Sequence, residues 1–254
     1  LSSAASDVYK RQAEHVAVAF DESLTSSYRN EIYPEYKANR DPAPVELKRQ
    51  FGWARAVAEA MGLSCYGDDR YEADDLIGTL AEYWRERGHP ICVVTADKDL
   101  AQLVGEGDHW WDFSRNQKLN ARQLTQKFGV MPQQMADYLA LTGDAVDNIP
   151  GVPGIGPKSA AALLGHFGDL DSLYERLDEV PTLAIRGARS IHRKLADHRE
   201  AAHLARRLTV IETAVESALA APDLARSAID PDRLNRLFDE LDFGGMLRQR
   251  CLRV

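Results

Sequence analysis

Ile91-Cys92-Val93-Val94-Thr95-Ala96-Asp97-Lys98-Asp99 is the stretch that decides how this chain folds. An apolar, β-branched run stops in two carboxylates around a lysine, and a helical pattern follows. Such a run suits a parallel strand covered on both faces. Strand, carboxylate loop and helix in succession is how open α/β sheets build sites, at the carboxyl ends of their strands. The expected class is therefore α/β, with a mostly parallel sheet flanked by helices.

The pattern recurs upstream. His15 to Phe20, with Val16 and Val18, reads as a buried strand ending at Asp21. Glu46 to Met61 reads as an amphipathic helix with Leu47, Phe51, Ala54, Ala58 and Met61 on one face, stopped by Gly62. A short strand is expected around Leu63 to Tyr66. In Tyr71-Glu72-Ala73-Asp74-Asp75-Leu76-Ile77 three carboxylates fall where an apolar helical pattern begins, and Gly88 is its stop. Glu72 and Asp75 share a helix face. A cation between them would relieve their repulsion, although acidic residues also simply favour a helix N-terminus. His109 to Phe113 reads as a further strand.

Downstream of about Leu119 the strand signals vanish and Ala and Leu increase. Ala121 to Phe128 and Pro132 to Leu141 read as helices. Thr142-Gly143-Asp144-Ala145-Val146-Asp147-Asn148 follows, then Ile149-Pro150-Gly151-Val152-Pro153-Gly154-Ile155-Gly156-Pro157-Lys158-Ser159-Ala160. The rest is mostly helical.

The chain has 254 residues and a formal net charge of −8. That balance argues against a protein that merely coats nucleic acid with basic residues. It is compatible with a nucleic acid enzyme whose carboxylates hold metal ions. No apolar run is long enough for a transmembrane helix. Cys65, Cys92 and Cys251 lack metal-type spacing and read as reduced thiols in a cytoplasmic protein.

Four acidic groups collect along the chain: Asp21; Glu72, Asp74 and Asp75; Asp97 and Asp99; Asp144 and Asp147. All-oxygen donor sets select hard cations such as Mg2+ or Mn2+. Two such ions roughly 3.5–4 Å apart can activate water and stabilise a leaving oxygen in phosphodiester cleavage. The segment from Gly154 to Ala160 has the G-h-G-x-x-x-A form of a helix–hairpin–helix. Its glycines let backbone N–H groups approach a phosphate, and Pro157 suits the first helical position. Lys158 and Ser159 then flank an anion-binding helix N-terminus. Arg29, Tyr36, Lys37 and Arg40 form a basic-aromatic cluster able to steer phosphates and stack on bases.

Together the motifs Phe20-Asp21, Tyr36-Lys37-Ala38-Asn39-Arg40, Glu72-Ala73-Asp74-Asp75, Thr95-Ala96-Asp97-Lys98-Asp99, Gly143-Asp144 with Asp147-Asn148, and Ile149 to Gly156 resemble the 5′ nuclease family. These are the flap endonucleases and 5′–3′ exonucleases, including the 5′ nuclease domain of DNA polymerase I. The resemblance implies a PIN-like domain over residues 13–118, then an all-α domain of the H3TH type over 119–254. It implies two Mg2+ or Mn2+ ions on the eight carboxylates above, and Arg29, Tyr36 and Lys37 guiding the 5′ strand to them. Arg40, Gly151, Gly154, Gly156, Lys158 and Ser159 would contact DNA, with K+ at the hairpin. Substrates would be duplex DNA with a 5′ end or 5′ flap, cut by a monomeric, cytoplasmic replication and repair nuclease. A non-cleaving, structure-specific DNA-binding module is the alternative.

Residues 1–12 resemble translated sequencing-adapter sequence and are set apart from the fold. The family begins with an apolar strand bearing another Asp. The expectation is that this strand is missing here and that the chain as it stands is impaired.

Overall fold

The computed structural model describes residues 13–22 and 26–252, so the expectation about residues 1–12 lies outside it. Packing divides the chain into two compact units. The first comprises Leu1–Leu24, Pro42–Tyr83 and Thr213–Val254; the second comprises Thr25–Asp41 and Trp84–Glu212. This division differs from the one expected at residue 119.

In chain order the strands are β1 (Ala17–Asp21), β2 (Ser64–Asp68), β3 (Cys92–Val94), β4 (His109–Asp112) and β5 (Gln117–Leu119). The helices are α1 (Tyr28–Ile32), α2 (Val45–Ala60), α3 (Ala73–Arg85), α4 (Ala121–Phe128), α5 (Met135–Thr142), α6 (Pro157–Phe167) and α7 (Leu170–Glu175). They continue with α8 (Ala188–Asp197), α9 (Arg199–Thr209), α10 (Glu216–Leu219), α11 (Pro231–Glu240) and α12 (Gly245–Leu252).

In the first unit β1 and β2 pair in parallel, with Asp21 opposite Asp68. Alternation sends successive side chains to opposite faces of this sheet. Val16, Val18 and Cys65 pack on a core of Val57, Ala58, Met61, Leu63, Leu234 and Phe238. Ala17, Ala19 and Tyr66 pack on Leu76, Leu80, Val215 and Ala218. Helices therefore lie on both faces, and the strand expected from the His15 run ends at Asp21 as anticipated but is half-buried rather than buried.

Helix α2 matches its expected limits, but its apolar face does not hold along its length. Val57 and Ala58 are buried, whereas Leu47 and Phe51 are 39% and 49% exposed. Period alone reports a face; only what packs on it decides burial.

In the second unit β3 pairs in parallel with β4, and β4 pairs antiparallel with β5. The pairing around β3 extends beyond its three residues: His109 N donates to Ile91 O at 2.8 Å and Thr95 N to Trp111 O at 3.0 Å. The expectation of cover on both faces is corrected here. Val93 is buried, but Cys92 and Val94 are exposed, and β3 is the edge of its sheet. A β-branched run signals extended backbone and leaves open how many faces are covered. One core runs from the sheet's Trp110 through Leu139, Leu163, Leu164 and Leu195 to Leu208.

Candidate metal and nucleic-acid site

In the first unit the carboxylates gather where β1 meets the start of α3. Asp21 Oδ1 accepts a hydrogen bond from Ala73 N at 2.8 Å, capping the first turn of α3. Asp75 Oδ2 accepts from Glu72 N at 3.1 Å, closing the same turn from inside the helix. Glu72 and Asp75 are buried, Asp74 is half-buried and Asp21 is exposed. Capping and clustering thus coexist here, because the same N-terminus attracts both.

In the second unit the turn after β3 is laced by its own side chains. Thr95 Oγ1 accepts from Asp97 N at 3.0 Å, and Asp97 Oδ1 accepts from Asp99 N at 2.9 Å. Trp110 Nε1 donates to Asp97 O at 2.8 Å. Asp97 remains exposed, while Asp99 turns inward. There the Lys98 ammonium lies 3.1 Å from Asp99 Oδ1 and also donates to Asp144 Oδ2. Asp99 Oδ1 is buried and accepts no hydrogen bond of good geometry.

The electrostatics follow from that crowding. Burial pushes the Asp99 carboxyl up to about 6, with Lys98 opposing the rise and the Asp97 and Asp144 charges adding to it. Burial would raise Asp144 too, but the Lys98 hydrogen bond and charge hold it below the usual range. Burial would lower Lys98, yet its two carboxylate partners hold it above the ordinary lysine range.

Asp144 also belongs to a closely hydrogen-bonded loop. Its N–H donates to Ile149 O at 3.0 Å, and Ile149 N returns a bond to Asp144 O at 2.8 Å. Asp144 Oδ1 accepts from Val146 N at 2.7 Å. On this loop lies the Tyr36–Arg40 segment. Lys37 N donates to Asp147 O at 2.9 Å, Asn39 Nδ2 to Ala145 O at 2.9 Å, and Asn148 Nδ2 to Glu35 O at 2.7 Å. The Asp147 carboxylate accepts from Tyr36 Oη at 3.3 Å, pairs with Arg40, and lies 3.9 Å from Lys37 Nζ. Lys37 and Asn148 both take the left-handed backbone region, with φ of 55° each. Non-glycine residues in that region are uncommon and cluster where surroundings over-determine them. Asp147 therefore anchors the basic-aromatic cluster.

An open cleft of about 530 Å3 runs along these groups, lined by Asp97, Asp99, Asp144 and Asp147 with Arg40 and Lys127 among its basic residues. Acidic and basic groups thus share one concave surface. Sequence reading missed Lys127. Its ammonium lies 4.8 Å from the centre of the Trp110 ring.

Arg29 is placed elsewhere. It is buried, and its guanidinium donates to Leu208 O at 2.8 Å and Val210 O at 2.9 Å, at the end of α9. Residue type alone cannot distinguish a strand-guiding arginine from one that caps a helix C-terminus.

In the hairpin, Ile155 N donates to Val152 O at 3.0 Å and Gly156 precedes α6 without a side-chain cap. Pro157 occupies the first turn, and Lys158 is exposed. The donors of that first turn have no partners within the helix. Gly154 has φ of 77°, and the Lys194 side chain lies directly against it, so a Cβ there would sit 3.3 Å from Lys194 Cε and collide with its ammonium.

Among the described residues no three His, Cys, Asp or Glu side chains meet in a ready-made metal-ligating group. The donor chemistry nevertheless fits a hard cation within the second unit. Asp99 and Asp144 are oxygen donors already gathered around one positive charge.

Residues 2–129 match the family model described as 5′-3′ exonuclease, N-terminal resolvase-like domain. Residues 130–232 match that of the 5′-3′ exonuclease C-terminal SAM fold. The chain belongs to the 5′–3′ exonuclease family. DNA polymerase I of Pseudomonas aeruginosa is 41% identical over 232 residues, covering 91% of this chain and 25% of that protein. The DNA polymerase I of Rhizobium leguminosarum is 45% identical over 166 residues, 65% of this chain and 16% of that protein. The chain thus spans a quarter or less of these two relatives. Flap endonuclease Xni of Salmonella dublin is 37% identical over 206 residues, covering 81% of this chain and 79% of that protein.

Solved structures share the fold. T5 5′-exonuclease, described with bound divalent metal ions (zinc), has a TM-score of 0.70 at 22% identity, covering 93% of this chain and 86% of that one. The catalytic core of Rad2 in complex with DNA substrate has a TM-score of 0.60 at 15% identity, covering 93% and 76%. The α/β domain with its small parallel pairings, followed by helices, is the architecture of this family. No helix among the described residues is long and apolar enough to cross a membrane.

Proposed function

We propose that this chain is a metal-dependent 5′–3′ exonuclease and flap endonuclease that hydrolyses DNA phosphodiester bonds near 5′ ends. The observation that carries the reading is the cleft in which Asp97, Asp99 and Asp144 adjoin a basic-aromatic segment anchored on Asp147. Carboxylates beside phosphate-steering groups suit hydrolysis; a non-cleaving DNA-binding module has no use for buried, mutually repelling acids.

The candidate ligands are Asp21, Glu72, Asp74 and Asp75 in the first unit and Asp97, Asp99, Asp144 and Asp147 in the second. Two bound Mg2+ or Mn2+ ions would supply an activated water and neutralise the leaving oxygen. Tyr36 and Lys37 are assigned to guiding the incoming 5′ strand through the segment they hold on Asp147, since the Tyr36 ring is buried and the Lys37 side chain is only 8% exposed. Arg40, 34% exposed at its side chain, is the cation that meets the strand directly. Gly151, Gly154, Gly156, Lys158 and Ser159 hold duplex phosphate at the start of α6, without reading sequence. The expected K+ belongs at this same turn, and the Lys194 ammonium against Gly154 has to move aside for it. Residues 13–118 carry six of the eight candidate ligands, and residues 119–254 add Asp144 and Asp147 together with the duplex-binding hairpin. The enzyme acts as a cytoplasmic monomer on 5′-ended or 5′-flapped DNA.

Calorimetric titration with Mn2+ tests the metal assignment. Replacing Asp97 by Asn is expected to weaken binding at least tenfold, the effect of losing about 1.4 kcal/mol of charge attraction. Unchanged affinity would remove Asp97 from the ligand set.

A further inference from the structure

The Lys98 ammonium sits between Asp99 and Asp144, two carboxylates that adjoin the cleft. Its two partners come from separate parts of the chain, one next to it on the β3 turn and one on the Gly143–Asn148 loop, 46 residues away. Both carboxylates are shielded from water, with side-chain exposures of 17% and 5%. Lys98 itself is 42% exposed at its side chain, so the amine reaches inward from a partly solvated stem. The shared ammonium offsets the repulsion between these two shielded carboxylates.

We propose that Lys98 is a built-in place-holder cation, which keeps Asp99 and Asp144 gathered before a divalent ion arrives and is displaced toward solvent when it binds. This rests on the metal-dependent reading above. The consequence is a competition. Both cations use the same oxygens, so the ion has to displace an ammonium before it can bind. Lys98 therefore lowers the chain's intrinsic affinity for metal while raising its stability without metal. Its long, partly exposed stem lets the amine swing out without moving backbone. Asp99 Oδ1, which accepts no hydrogen bond of good geometry, is the oxygen freed with least loss. Asp144 Oδ1, by contrast, keeps its bond from Val146 N and stays oriented throughout.

The test compares the full chain with its Lys98→Met variant, using Mn2+ alone as the probe. Without metal the variant melts at a lower temperature, because two buried charges lose their partner. With saturating Mn2+ that gap narrows, and the variant binds Mn2+ about tenfold more tightly than the parent. Equal or weaker binding by the variant, with binding by the parent intact, overturns the place-holder and leaves the metal site standing. Failure of Mn2+ to bind either protein overturns both.

A second measurement needs no variant. Amine acetylation of the parent, followed residue by residue by mass spectrometry, is expected to accelerate severalfold at Lys98 when Mn2+ is added, relative to exposed Lys118. An unchanged Lys98 rate in the presence of bound Mn2+ overturns the displacement.

Discussion

Gly143 and Gly151 face each other so closely that neither has room for a side chain. A Cβ on Gly143 would lie 2.7 Å from Gly151 N, and one on Gly151 would strike Gly143 N and lie 2.7 Å from Thr142 O. Gly143 also has φ of 75°. This contact closes the base of the loop that carries Asp144 and Asp147. Gly151→Ala is therefore expected to destabilise the protein by about 2 kcal/mol or more, since the obstacle is backbone and cannot swing away. Urea unfolding measures this. A change below about 0.5 kcal/mol, the usual range for a surface substitution, would mean the loop opens without cost.

Arg29 separates a structural role from a catalytic one. Its guanidinium binds the end of α9 from a buried position. Arg29→Ala is expected to cost about 2–4 kcal/mol, because the buried Leu208 carbonyl and the part-buried Val210 carbonyl lose a charged donor. The decisive comparison is melting temperature beside cleavage rate. A variant with parental melting temperature and depressed cleavage would restore Arg29 to the strand-guiding group.

The hairpin is tested by salt. Lys158 is exposed at the first turn of α6. Lys158→Ala is expected to weaken duplex binding equally for unrelated sequences and to reduce the slope of log affinity against log salt by about 1. Anisotropy titrations between low and moderate salt give that slope. An unchanged slope would remove Lys158 from the phosphate contacts.

Much of this organisation is legible locally. Helix α4 runs from Ala121 to Phe128 as its pattern predicts, because Asn120 and Gln123 form a capping box and Gly129 supplies the left-handed stop. Pro157 marks the start of α6 for the same kind of reason. What escapes the sequence is non-local. Strand β5 is three residues of Gln-Lys-Leu whose pairing with β4 supplies the signal that composition lacks. The exposure of Phe51, the burial of Arg29 and the pairing of Lys98 with Asp144 all depend on partners distant in sequence or on the lack of any. Residue types nominate charges for a site; packing decides which are held by other charges.

Cys65 gives a pH signature. Burial pushes its thiol up to about 11, with Glu59 adding to the rise and Arg55 and Arg233 opposing it. The folded state thus holds its proton more tightly than the unfolded chain. Its contribution to stability is fully present below about pH 8.5, the unfolded value, and is lost as pH rises toward 11. Melting temperatures across that window are expected to fall less in Cys65→Ala than in the parent. Iodoacetamide at pH 8 is expected to label exposed Cys92 well before Cys65. Equal labelling rates at the two thiols would contradict this account of Cys65.

The most direct measurement is single-turnover cleavage of a 5′-labelled flap DNA by the full chain in excess, in Mg2+ and in EDTA, beside Asp97→Asn. The expected result is short 5′ product in Mg2+ only, with the variant slowed at least about a hundredfold, the scale of losing a group that acts in the transition state, while its DNA binding stays near parental. Absence of Mg2+-dependent product, or product from the variant at the parental rate, would contradict the assignment of this cleft as a metal-dependent 5′ nuclease site.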